Sequence, residues 1–186
     1  MISEPRAKPI TADDFEKFDP EWRYDLIRGE LFPMPPFPSE QHGEITADFA
    51  TEASWFVKSN NLGKTYAAET RFVIEQNPDT SIASDWAFIA KDRAPKIPSD
   101  KFSRIIPDAI LEVRSPSDRE SAVVNKMNRW IAAGVRIGWE LNPKKRIMTV
   151  YRPNAEPRQI DINGTISGED VLPGFELPMR SLFEQS

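Results

Sequence analysis

The chain has no cysteine among its 186 residues and only one histidine, His42. The first absence excludes disulfides, thiolate zinc sites and cysteine nucleophiles together. The second excludes a multi-histidine metal centre within one chain. Any bound cation would then be held mainly by oxygen, which points to Mg²⁺ or Mn²⁺. No apolar run approaches the ~18 residues of a membrane span. The opening "MISEPRAKPI" lacks the basic-then-apolar pattern of an export signal. These readings predict a cytoplasmic protein with no membrane partner. Glycine is scarce, with 8 residues against 17 prolines, so punctuated turns are expected rather than flexible linkers. An excess of positive charge is missing as well. A net charge of −5 argues against passive coating of nucleic acid, which needs a basic footprint. It leaves open an enzyme that meets phosphates through a local basic patch and a cation.

What remains is an ordinary soluble balance, and the length suits one domain over residues 1–186, with 1–10 as a loose arm. "TADDFEKF" predicts a short helix with Thr11 as N-cap and Asp14 as the capping-box acid. "RYDLIRGELFPM" predicts a hairpin around Arg28-Gly29, then a proline-rich turn, "PMPPFP". From Ser39 the period changes: Ile45, Phe49, Ala53, Phe56 and Val57 share a helical face, with Gly63 as the expected C-cap. Strands follow at "TYAAETRFVIE", "SDWAFIA" and "ILEVRS", with a polar loop, "KDRAPKIPSDKFSR", before the last. The next helix carries Val123, Val124, Met127, Trp130 and Ile131 on one face. Its expected limits are a Ser117/Glu120 capping box and Gly134. A strand pair around Asn142-Pro143-Lys144-Lys145 and short C-terminal strands, with a turn at Asn163-Gly164, complete a mixed α/β fold.

The stretch "PDAILEVRSPSD" reads as a buried strand, yet Glu112 sits inside it and Asp108 and Arg114 lie beside it. One reading makes Glu112 a solvated carboxylate on an edge strand, since Ile110, Glu112 and Arg114 alternate with Leu111 and Val113. Asp85 would then be a polar strand opener, and Lys126 an amphipathic helix-edge lysine. The other reading takes the three together. If the two strands are neighbours, Asp85 and Glu112 converge on one oxygen-ligated cation, with Lys126 as an electrostatic helper for phosphodiester hydrolysis. Asp108 reads as a turn or capping acid, and Lys144, Lys145 and Arg146 as a solvated turn with a chance of meeting a nucleic-acid backbone. The five tryptophans read as core.

"SDWAFIA", "PDAILEVRSPSD" and "NKMNRWIAAGVRIGWELNPKKRIMTVYRP" together resemble the Uma family of bacterial endonucleases, a branch of the PD-(D/E)XK nuclease superfamily. "YDLIRGEL", "QHGEI" and "SGEDVLPGFEL" extend the resemblance over nearly the whole chain. It implies a restriction-endonuclease-like core, a mixed sheet flanked by helices, with an N-terminal hairpin and short C-terminal strands. It implies Asp85 and Glu112 as metal ligands and catalytic acids, Mg²⁺ or Mn²⁺ as cofactor, and DNA as substrate. By analogy with enzymes that cut both strands, a homodimer is expected. The motif lysine would stand at position 114, where this chain has Arg114; the lysine role is expected to have moved to Lys126. Glu44 becomes the expected further catalytic acid on the first core helix, with His42 beside it; Arg114 and His42 are the expected substrate-binding residues, Arg114 through a phosphate. Ser84 stands where the family has proline. An alternative is a nuclease-fold protein that has lost catalysis and acts as a nucleic-acid- or protein-binding module.

Overall fold

In the computed structural model of the protein, the structure describes residues 8–19, 23–34, 38–97 and 99–184. The elements in chain order are α1 (Ala12–Phe15), β1 (Tyr24–Ile27), β2 (Glu30–Pro33), α2 (Glu40–Ser59), β3 (Gly63–Tyr66), β4 (Arg71–Glu75), β5 (Thr80–Ala83) and β6 (Trp86–Ala90). They continue with β7 (Ala109–Val113), α3 (Glu120–Ala133), β8 (Ile137–Asn142), β9 (Ile147–Tyr151), β10 (Arg158–Ile160), β11 (Thr165–Ser167) and β12 (Glu176–Pro178), then a 3₁₀ turn at Met179–Leu182.

Six strands form a mixed sheet in the order β10-β9-β8-β7-β6-β3. Its one parallel pair, β7 with β8, is joined by α3, because a parallel step needs a crossover long enough to return the chain. Alternation then sorts the side chains. Trp86, Phe88, Leu111, Val113, Trp139 and Leu141 meet Ile45, Phe49, Ala53 and Val57 of α2 on one face. Ala87, Ile89 and Ile110 meet Val123, Met127 and Trp130 of α3 on the other. A second, antiparallel sheet, β2-β1-β5-β4, closes over α3: the Phe72 ring on β4 lies edge-on to Trp130 at 5.9 Å. Only Ser84 and Asp85 separate β5 of this sheet from β6 of the first. Asp85 therefore occupies the corner where the two sheets meet.

Several local expectations stand in the structure. Thr11 and Asp14 form the capping box of α1, β1 and β2 pair across Arg28-Gly29, α2 begins directly after Ser39, and Gly134 ends α3 with φ 115°. Other expectations need correction. Glu112 is not on an edge strand, since β7 lies between β6 and β8 and all five of its residues are buried. The Ser117/Glu120 box does not form. Asp118 instead accepts the Ser115 N–H at 2.7 Å, which ties up the turn and delays the helix, whose N-cap is Arg119. Gly63 is not a helix cap; α2 ends at Asn60, and Gly63 opens β3. Its missing side chain has a different cause: a Cβ there would stand 2.1 Å from the Ile89 carbonyl. "TYAAETRFVIE" holds two strands in different sheets, and β5 ahead of "SDWAFIA" went unread. Trp55 is not core, with 66% of its surface exposed, whereas Trp86, Trp130 and Trp139 are fully buried. Trp22, residues 35–37 of the proline-rich turn and residues 1–7 of the expected arm lie outside the described residues. Ile10 from that arm is docked, its N–H bonded to Gly29 O at 2.9 Å.

Candidate active site

The antiparallel register of β6 and β7 pairs Trp86 with Leu111 and Ala87 with Ile110. Asp85 stands at the bend just before β6, where its charge acts on Glu112, so the two carboxylates are close neighbours at this end of the β6–β7 pair. Asp85 is held by backbone as well as side chain: its N–H donates to Leu111 O at 3.1 Å, and its Oδ2 accepts the Val113 N–H at 2.7 Å. Two residues one helical turn apart on α3 then grip Glu112. Lys126 Nζ donates to Oε2 at 2.7 Å, and Trp130 Nε1 donates to Oε1 at 3.0 Å. From the opposite face of the sheet, the first turn of α2 brings His42 Nε2 to 3.3 Å from Asp85 Oδ2. The site thus lies at the end of β7, where α2, α3, the six-stranded sheet and the four-stranded sheet converge. Asp85 and Lys126 reach solvent there, with side chains 19% and 27% exposed against 10% for Glu112.

The electrostatics are strained. Burial pushes the Glu112 carboxyl up to about 7; the Asp85 charge adds to this, while Lys126 and Trp130 oppose it. Burial alone would lower the Lys126 ammonium, but Glu112, then Asp25 and Asp85, outweigh burial and hold it above its usual value. For His42, too, burial pulls the pKa down. Asp85, the backbone of Val113 and Asp118 prevail, and the imidazole lies above its ordinary value. Three carboxylates therefore act on one lysine, and two of them, Asp85 and Glu112, also act on each other. Like charges placed near each other repel, and Lys126, Trp130 and His42 each offset part of that repulsion.

A family model, Uma2, described as "Putative restriction endonuclease", matches residues 12–180. The chain belongs to the Uma2 family. Among solved structures it is similar to a "putative nuclease belonging to DUF820" from Anabaena variabilis. Identity is 23% and the TM-score 0.81, covering 94% of this chain and 98% of that one. At that identity the likeness speaks for the fold, a restriction-endonuclease-like mixed α/β architecture. No curated protein matches the chain.

Within this Uma2 chain, Asp85, Glu112, Lys126 and His42 are brought together, whereas Glu44 is not. Two residues along a helix turn the side chain by roughly 200°, so with His42 facing Asp85, Glu44 faces outward. It is exposed and lines a shallow pocket with Gln41, Asp48 and Arg146. Arg114 stays beside the site, but its Nε donates to Glu140 Oε1 at 2.8 Å. Glu140 escaped the sequence reading although it carries the same signal as Glu112, an acid inside an apolar strand. The β7–β8 register pairs it directly with Glu112, and it is only 2% exposed. Asp25, reaching Lys126 from β1, also escaped, because nothing in a two-stranded hairpin pattern shows that it folds back over α3.

A cation's fit can be judged from the donors. Asp85 and Glu112 supply oxygen ligands of the kind and number Mg²⁺ takes from protein, with water and phosphate filling its other positions. Among the described residues no group of three acidic or histidine side chains is arranged to hold a metal. The donor types at the site are those of a hard, oxygen-liganded cation. No helix among the described residues is long and apolar enough to cross a membrane.

Proposed function

We propose that this chain is a metal-dependent endonuclease that hydrolyses DNA phosphodiester bonds at Asp85 and Glu112, with Mg²⁺ or Mn²⁺ as the resident ion. The observation that carries this reading is the pair of neighbouring acids, Asp85 and Glu112, with a lysine 2.7 Å from one of them. When bound, such an ion lowers the pKa of a water and offsets charge developing on the phosphate oxygens. The chain's own side chains have separate tasks. Asp85, pinned by the Val113 N–H and His42, presents a fixed carboxylate. Trp130 fixes the orientation of Glu112 from the protein side. Lys126 can turn its ammonium toward a phosphate or an attacking water, supplying positive charge where negative charge develops. His42 braces Asp85, and Arg114 offers a cation to a substrate phosphate beside the site. Glu44 has no part in this scheme. The proposal includes one domain spanning the chain and a homodimer that places one site on each DNA strand, by analogy with enzymes that cut both.

The test is cleavage of single- and double-stranded DNA with Mn²⁺ by wild type, Glu112→Ala and Lys126→Ala, with chelator controls. Activity lost in both variants and in chelator supports the scheme. Loss in Glu112→Ala alone would move the lysine's role elsewhere. One observation favours a second reading, a binding module without catalysis: an arginine occupies position 114 and is engaged by Glu140. Cleavage by no preparation on any substrate would select that reading.

A further inference from the structure

Beyond the acid pair, the face of the six-stranded sheet covered by α3 carries a second buried charge pair. Glu112 and Arg114 project from β7 to this face. The ladder continues to Arg114, whose N–H bonds Leu141 O at 2.8 Å. Glu140 projects from β8 to the same face, opposite Glu112. Glu112 and Glu140 thus stand side by side on adjacent strands, with Lys126 answering Glu112 and Arg114 answering Glu140.

The two pairs differ in what their cations leave free. Among the described residues the Arg114 side chain makes one hydrogen bond, from Nε to Glu140. Its two terminal amino groups make none, and Nη1 stands 4.0 Å from Glu120, a first-turn residue of α3 whose side chain is 69% exposed. A guanidinium gripped at Nε has its planar outer edge left for a second partner, and two parallel N–H groups on that edge match two oxygens of a phosphate. Arg114 follows Glu112 by two residues on the same face, so its backbone lies beside Glu112; its guanidinium is drawn toward Glu140 on β8, and its side chain, 13% exposed, reaches solvent on the side of Glu120.

We infer that Glu140 is a positioning residue, holding Arg114 by Nε so that its outer N–H edge binds a DNA backbone phosphate flanking the one cleaved. The inference rests on the nuclease reading for its ligand, but not on whether the chain cuts. It accounts for a nearly inaccessible carboxylate, Glu140, in a central strand, which would otherwise only cost desolvation.

The test measures affinity of a labelled DNA duplex in Ca²⁺ against salt concentration, for wild type, Glu140→Gln, Arg114→Met and Arg114→Met/Glu140→Met. The double variant removes both charges at similar volume and so guards against misfolding from one unpaired buried charge. Expected is a loss in affinity of about tenfold for the double variant, with the salt slope reduced by about one. Arg114→Met should match it, since Glu140 acts only through Arg114. Glu140→Gln, whose amide oxygen still accepts from Nε, should keep most of the affinity. Mn²⁺ binding at Asp85 and Glu112 should stay unchanged in all four. A folded double variant with wild-type affinity and salt slope overturns the inference, as does wild-type protein that shows no salt-dependent DNA binding. Cleavage by wild type is scored separately, so loss of the nuclease reading and loss of this one remain distinguishable.

Discussion

Strand β7 meets a buried carboxylate at each end, Asp108 just before it and Glu112 near its close, and the two are surrounded in opposite ways. Asp108, 1% exposed, accepts the Ala90 N–H at 2.8 Å and Arg93 Nη1 at 2.6 Å, with Arg136 Nη1 3.9 Å away. Its neighbours are donors and cations, and no acid faces it in these contacts. It ties the start of β7 to the end of β6 and to the loop after it. Glu112, 8% exposed, has Lys126 and Trp130 as donors but also feels the Asp85 charge, and burial leaves its carboxyl at about 7. Burial of an acid therefore does not mark a site. A second acid beside it, with charge left unsettled, does.

Substitutions at the two ends should separate activity from stability. Glu112→Ala is expected to lower DNA cleavage by about a thousandfold or more, the several kcal/mol a bound cation contributes to phosphoryl transfer, while leaving the protein folded. Steady-state rates beside a thermal melt would show this. Asp108→Ala should do the reverse. It removes the partner of the Ala90 N–H and of Arg93, costing about 3 kcal/mol of stability, with the folded fraction still active. Urea denaturation gives the first quantity and activity per folded molecule the second. Equal loss of activity in both variants would erase the contrast.

A subtler difference appears with pH. In the metal-free protein the folded-state pKa of Glu112 lies above its ordinary 4.5, at about 7, so the folded state holds its proton more tightly. Stability from this group is fully present below about 4.5 and is lost as pH rises through about 7. Melting curves in chelator should show a decline over that window that Glu112→Gln lacks, and Mn²⁺ should offset it by binding only the folded chain. The smallest effect is expected at the β8–β9 turn. Because β7 and β8 run parallel, this turn leaves the sheet at the same edge as Glu112, and Lys144 and Lys145 are exposed on it. Lys144→Ala with Lys145→Ala should reduce the salt slope of DNA binding by about two, with Mn²⁺ affinity unaltered.

Much of this arrangement could be read from the residues, because the informative features are local. Thr11 with Asp14, Ser39, Arg28-Gly29 and Gly134 set element ends within a few residues of themselves, and the α2 and α3 stripes follow the helical period. The acids at 85 and 112 and the lysine at 126 were legible once taken together. What escaped depends on which strands become neighbours. Alternation around Glu112 is equally compatible with an edge or a central strand; only the β6–β7–β8 order makes the strand central. Glu140 and Asp25 gain meaning from partners 26 residues away at Arg114 and 46 residues away at Arg71. Glu44 stands apart from the other candidates for a geometric reason open to sequence: two residues along a helix it cannot share a face with His42. Asp118 diverted the α3 start because a short acid can serve a turn as readily as a cap.

The most direct test of the account is Mn²⁺ titration of the chelator-treated protein by isothermal calorimetry, with wild type, Glu112→Gln and Asp108→Asn compared under one buffer. The account predicts one site in wild type, none in Glu112→Gln, and an unchanged site in the folded Asp108→Asn protein. Equal Mn²⁺ binding by wild type and Glu112→Gln would contradict it, because the strained acid would then have some purpose other than holding a cation.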